Sequence, residues 1–183
     1  MRALIVSLLL LVAPPALAEA VYEDPRTGAV FPRTLGAFAF DKAYEYELAK
    51  LGYSLNYYAE PEHTAASVYV YTGGQSVPEG IGSQTLRAQF QMEIQTIEYA
   101  KRVGKYKEVT LLPNTIVQRP DFLSASLLIE GRNGNRAVSH LFLRGEAGHF
   151  LKVRLSTTAG EDITAKINTF LDALIAAIRA KRS

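Results

Sequence analysis

The stretch YSLNYYAEPEHTAASVYVYTGG, residues 53–74, holds five of the chain's ten tyrosines. How its strands are set in register decides which way the first half of the molecule faces. Two runs of strand formers flank the loop AEPEHTA (59–65), which reads as an antiparallel hairpin. Leu51-Gly52 reads as a tight turn before it, with glycine where positive φ is needed. On that register Leu48 faces Leu55 and Tyr46 faces Tyr57. Across the next loop Leu55 faces Tyr69 and Tyr53 faces Tyr71. Strand parity then puts Tyr44, Tyr46, Leu48, Tyr53, Leu55, Tyr57, Tyr69 and Tyr71 on one face. The opposite face receives Ser54, Asn56, Tyr58, Val68 and Val70. The expectation is an aromatic ladder across three strands.

A ladder of this kind has two readings. It can wall a core beneath a helix, where each buried hydroxyl needs a partner. It can also be an exposed platform, with Tyr53, Tyr69 and Tyr71 as the candidate binding residues. The reading depends on register, because a slip of one residue sends the whole set to the other side.

Outward from this stretch, two segments read as one-sided helices. Over Ser83–Val103 the apolar residues Leu86, Phe90, Ile94, Ile97 and Ala100 recur at helical spacing. Ser83 is the candidate N-cap, and Lys101, Arg102 and Gly104 are stop signals. Over Glu161–Lys181 the stripe is Ile163, Ile167, Phe170, Leu171, Leu174 and Ile178. Glu161 and Asp162 at its start and Arg179 and Lys181 at its end suit the helix dipole. Each helix needs an apolar surface to lie on.

The remaining segments read as strands. FLSASLLIEG (122–131), the turn Arg132-Asn133-Gly134-Asn135-Arg136 and AVSHLFLR (137–144) form a hairpin signal. GEAG (145–148) turns the chain into HFLKVRLS (149–156). With Arg144 opposite His149, the pairs Val138–Leu155, His140–Val153 and Phe142–Leu151 share one apolar face. Leu141, Leu143 and Phe150 make the other face partly apolar near the turn, with Lys152 and Arg154 further along it. The expected fold class is α+β: a central, mostly antiparallel sheet flanked by helices, an α/β/α sandwich.

The first eighteen residues carry Arg2, the apolar run Ala3–Val12, Pro14-Pro15 and an Ala16-Leu17-Ala18 cleavage pattern. This is the pattern of a secretory signal peptide cut near Ala18. The apolar run is half the roughly 20 residues a membrane-spanning helix needs, so the mature form is expected to have no span. Residues 19–34 read as an extended lead-in and 35–183 as a single domain. At about 165 residues, the mature chain buries about 70% of its unfolded surface and needs no staples. The chain has no cysteine. That excludes disulfides, thiolate metal sites, a thiol nucleophile and lipid attachment through cysteine. The formal charge of +2 is too small to collect nucleic acid.

Motifs for chemistry are sparse. The loop GGQSVPEGIGSQ (73–84) joins a strand to a helix, where phosphate loops occur, but it lacks the Gly-Lys-Ser/Thr pattern and the third glycine of a dinucleotide fingerprint. Glu60, Glu62 and His63 are donors in one loop, too few for a metal without help from elsewhere. His140 and His149 are too far apart along the hairpin to share an ion. There is no G-x-S-x-G elbow and no H-E-x-x-H. No catalytic residue, metal site or cofactor is assigned.

The order of strands, glycine-rich loop, helix, antiparallel strands and closing helix after HFLKVRLSTTAGEDI resembles the PsbP-like group of sandwiches. The likeness covers about residues 35–183 and rests on element order. It implies a binding or assembly role without an active site. The expectation is therefore an exported, non-catalytic domain, periplasmic or secreted, that binds a protein partner at the cell envelope. The alternative is a small-ligand or hydrolytic domain with its pocket at the 73–84 loop. Oligomeric state is not readable from the sequence.

Overall fold

The computed structural model describes residues 20–61 and 63–180. The leader expected over residues 1–18 and Glu62 of the loop motif lie outside the described residues. In chain order the elements are β1 (Ala20–Glu23), β2 (Val30–Pro32), β3 (Thr34–Leu35) and β4 (Phe38–Glu45), then a 3-10 turn at Ala49–Leu51. Next come β5 (Tyr53–Ala59), β6 (Thr64–Tyr71), α1 (Gln84–Arg102), β7 (Glu108–Leu111) and β8 (Val117–Gln118). The chain ends with β9 (Leu123–Glu130), β10 (Arg136–Glu146), β11 (His149–Thr158) and α2 (Thr164–Arg179). The fold is α+β, with a mostly antiparallel sheet and two helices.

The main sheet runs β3-β4-β5-β6-β11-β10-β9-β7, with β8 also paired to β9. The lead-in is a β1–β2 hairpin of its own, and its Phe31 is fully buried in the core. Asp24 holds that hairpin's turn: its carboxylate accepts from Arg26 Nε at 3.0 Å and Thr27 Oγ1 at 2.7 Å. Burial works against this carboxylate's charge, but these hydrogen bonds outweigh it and hold the group below its ordinary range.

Both helices form where the periodicity places them. Ser83 caps α1, its hydroxyl accepting from Leu86 N–H at 3.1 Å. Asp162 Oδ1 accepts from Thr164 N–H at 3.0 Å at the start of α2. Alternate strand residues feed two separate cores. Phe170, Leu171 and Leu174 of α2 share one with Leu55, Val68, Val153 and Leu155. Leu86, Phe90 and Ile94 of α1 share the other with Leu127, Leu141, Leu143 and Phe150. By closest backbone approach α1 lies against β7, β9 and β10 and α2 against β2 and β3, while side chains join α1 to Tyr71 of β6 and Lys152 of β11 and Phe170 of α2 to Phe38 and Tyr57.

The expected tyrosine ladder does not form. Tyr53 pairs with Val70 and Leu55 with Val68, one residue away from the expected register. The hairpin closes tightly, with Ala59 opposite Thr64, instead of spending 59–65 on a loop. The 3-10 turn shifts the earlier hairpin too, bringing Tyr44 opposite Ser54 and Glu45 opposite Tyr53. The tyrosines therefore divide. Tyr53 and Tyr57 face the α2 core, while Tyr69, Tyr71, Tyr44 and Tyr46 share the opposite face with Ser54 and Asn56.

The β10–β11 register also differs from expectation, but by two residues. Glu146 lies opposite His149, Phe142 opposite Val153 and His140 opposite Leu155. The turn is the Ala147-Gly148 pair, both at positive φ (51° and 77°). A two-residue shift preserves the faces, so Phe142, Val153 and Leu155 are on one side as expected.

Candidate binding face

α1 lies closest to β7, β9 and β10 and meets β6 through Tyr71. The same face of β4, β5 and β6 carries Ala39, Lys42, Tyr44, Ser54, Asn56, Tyr58, Ala65, Ser67 and Tyr69, which among the described residues are exposed or half-buried except for buried Ser54. None is an aliphatic residue larger than alanine. Tyr44 is 58% exposed and Tyr58 37%. Ser67 Oγ donates to Asn56 Oδ1 at 2.7 Å, which fixes that amide in the floor. Rings Tyr44 and Tyr46 meet edge-on at 4.9 Å.

Two depressions lie on this face. One, of about 890 Å³, is floored by Ala39, Asn56, Ala65 and Ser67 and bordered by Lys42, Tyr58 and Glu60. Its floor residues are small, so it reaches the sheet backbone. The other, of about 280 Å³, lies where α1 meets the sheet, between Tyr46, Leu51, Tyr69, Tyr71, Glu93, Thr96 and Lys152.

Glu93 organises the second depression. It is 9% exposed, and every polar partner it needs is present. Tyr71 hydroxyl donates to its Oε1 at 2.6 Å and Gln89 Nε2 at 3.0 Å, and Lys152 Nζ donates to Oε2 at 2.9 Å. Burial opposes the charge, but Lys152 and these hydrogen bonds hold the carboxyl below its usual range. Burial and the neighbouring Glu93 push the Tyr71 phenol far up, so it stays neutral. Lys152 also sits over the rings of Tyr69 and Tyr71, 4.3 and 5.4 Å from their centroids. The result is a rigid, charge-balanced wall. Read from sequence, Lys152 lies on this face of the hairpin, but neither it nor Glu93 is given a site role. Their signal is positional, since Glu93 stands beside Ile94 in the apolar stripe, where a carboxylate must find a partner.

The candidate residues read from sequence are not one site. Tyr53 is 0% exposed. Its hydroxyl donates to Asp24 Oδ2 at 3.3 Å, and its ring lies 4.8 Å from that of Tyr22. It is a core residue tying the β1–β2 hairpin to the sheet. Tyr69 and Tyr71 are half-buried on the opposite face, flanking Lys152. Tyr44, Tyr46 and Tyr58 replace Tyr53 on the open face.

The 73–84 loop is pinned to the sheet end. Gly80 and Gly145 exchange backbone hydrogen bonds at 2.9 and 2.8 Å. Glu79 Oε2 accepts from Ala147 N–H at 2.9 Å, and Val77 is buried in the α1 core. Beneath it Arg144, 4% exposed, pairs with Glu146 at 2.9 Å and Asp121 at 2.8 Å. Asp121 in turn takes Arg179 of α2 at 2.8 Å. These ion pairs bind the sheet, a loop and α2 together.

The histidines are dispersed. His140 Nδ1 is 2.8 Å from Ser126 Oγ within the sheet, and burial, then Arg119, depresses its pKa. His149 Nδ1 is 2.8 Å from Ala147 O at the far end of the hairpin. His63 is exposed, 3.4 Å from Glu60. Among the described residues no group of three or more His, Asp or Glu is placed to hold a metal ion, and no helix is long and apolar enough to cross a membrane.

No family model matches the chain, and no curated protein does. A solved structure from Bacteroides thetaiotaomicron is similar, with a TM-score of 0.41 and 13% identity. The match covers 82% of this chain and 47% of that one, so the chain spans about half its length. The likeness is too distant to transfer any property.

Proposed function

We propose that the protein is an exported, non-catalytic domain of the cell envelope that binds a protein partner through the open face of β4, β5 and β6. The observation that carries this reading is the chemistry of that face. Tyrosine supplies rigid, amphipathic contact area with few rotatable bonds, and serine and asparagine supply adaptable hydrogen bonds. That is the make-up of polar, wet protein-binding surfaces. The export pattern at residues 1–18 supports reading the partner as an envelope protein. The arrangement is read as an α/β/α sandwich in which each helix covers one face of the sheet over a different part of its width, and the PsbP-like resemblance supplies the analogy for an assembly role.

Site-specific photo-crosslinking in the native host tests this. Crosslinkers placed at Tyr44 and Tyr69 are expected to trap one recurring protein, whereas one at Asn133, in the β9–β10 turn, is expected to trap none. A crosslinked small molecule, or equal trapping from all three positions, contradicts the assignment. The alternative, a small-ligand site at the 73–84 loop, predicts instead a bound mass of a few hundred daltons in native mass spectra.

A further inference from the structure

We propose that the outer edge of β4 takes an extended, basic segment of the partner as an added strand. This rests on the reading that the adjoining face meets a protein, and it names the mode and chemistry of that contact. β3 covers only Phe38 and Ala39 of β4, and Phe40 N–H closes that pairing on Arg33 O at 2.8 Å. From Asp41 to Glu45 the edge has no strand partner among the described residues, and all five residues are exposed. Tyr46 N–H is donated inward, to Gly52 O at 3.0 Å. Alternation then aims the backbone groups of Tyr44 at β5, opposite Ser54, and those of Ala43 and Glu45 outward. A row of outward amides and carbonyls recognises one thing well, another extended backbone. The slot holds about five residues, roughly 16 Å at the rise of a strand.

Charge selects the occupant. Lys42 Nζ lies 3.8 Å from Asp41 Oδ2, so these two offset each other. Glu45 and Glu47 remain, both exposed, with Glu45 Oε1 accepting from Tyr22 hydroxyl at 2.9 Å. Lys50 is turned the other way, beside Gly74. An incoming strand with lysine or arginine complements these carboxylates. A second copy of the edge does not: antiparallel pairing centred on Ala43 sets Asp41 against Glu45 of the other copy, and like charges directly opposite are destabilising. Side chains of the added strand that point to the open face would rest beside Lys42, Tyr44 and the small-residue floor.

The test is amide hydrogen exchange by NMR on the leaderless chain with two synthetic peptides. Both alternate valine and threonine; one carries lysines near its ends and the other glutamates. The lysine peptide is expected to slow exchange at Ala43 and Glu45 by about tenfold or more, as hydrogen-bonded strand amides do, and the glutamate peptide to leave it unchanged. Ala43→Pro removes an outward N–H without breaking the β5 ladder and should abolish the protection while circular dichroism stays native. Glu45→Lys with Glu47→Lys should reverse the peptide preference, a result independent of whether the proline variant folds. Unprotected edge amides with both peptides overturn the proposal. So does protection that appears without peptide and grows with protein concentration, which would mean a second copy fills the edge. If the edge stays unprotected while the Tyr44 and Tyr69 crosslinks persist, the edge assignment falls and the face assignment stands.

Discussion

At the scale of single residues, three tyrosines that look equivalent in sequence have different physical roles. Tyr53 is fully buried between Phe31, Tyr22 and the sheet, its hydroxyl on Asp24. Tyr71 is half-buried and donates to Glu93, and Tyr69 is half-buried beneath Lys152. Truncating a buried aromatic removes both transfer energy and packing, about 3–5 kcal/mol. Tyr53→Ala should therefore lower stability by about that amount, and Tyr69→Ala by about 1 kcal/mol or less. Urea midpoints at unchanged slope measure both. Equal losses would restore the single ladder expected from the alternation. Glu93 makes the complementary point. The apolar stripe of α1 is legible, but a carboxylate inside it acquires its Lys152 and Tyr71 partners only from the sheet.

At the scale of elements, local signals and pairing signals separate. The α1 cap at Ser83, the α2 stripe and the β9–β10 turn are written in neighbouring residues, and each forms where the pattern puts it. Register is not local in the same way. The β10–β11 shift of two residues kept every face, while the β5–β6 shift of one exchanged them, because side-chain direction repeats every second residue. Short β7 and β8 carry too little periodicity to stand out, and they exist because β9 offers an edge. The 73–84 loop shows how elements are fastened. A β-carbon added at Gly145 would lie 1.8 Å from Pro78 O, so only glycine allows the loop's backbone to approach β10. Gly145→Ala should cost about 1–3 kcal/mol and release the Gly80–Gly145 bridge. Faster exchange at Gly80 N–H, with α2 amides unchanged, would register it. Unchanged exchange there would show that the bridge does not hold the loop.

For the molecule as a whole, stability is bounded on both sides of neutral pH. Glu93 and Asp24 have depressed folded-state pKa values. Their contribution is complete above the ordinary carboxylate values of 4.5 and 3.8 and is lost as pH falls through the lower folded values. Tyr53, Tyr57 and Tyr71 are raised well above their ordinary 10.0, chiefly by burial. Their contribution is complete below pH 10 and is lost as pH rises, since the unfolded chain ionises first. Unfolding free energy measured across pH should be highest between about pH 6.5 and 10: it begins to fall below about pH 6.5, where His140 takes up its proton first in the unfolded chain, falls further below about pH 4.5, and falls again above about pH 10. Glu93→Gln should flatten part of the acid limb. In an alkaline absorbance titration the buried tyrosines should ionise only with unfolding, and their ionisation in the native state would contradict their burial.

The sequence by itself determined the α+β class, both helices with their apolar stripes, the Ser83 cap of α1, the antiparallel β9–β10–β11 unit and the lack of any cysteine chemistry. These follow from periodicity, turn residues and composition, which neighbouring positions carry. Only the tertiary structure decided which tyrosines are core and which are surface, that Glu93 is neutralised by Lys152, and that Asp41–Glu45 of β4 has no outer strand partner among the described residues. Those depend on register and on how far each helix reaches across the sheet, and both are set by packing between segments distant in the chain.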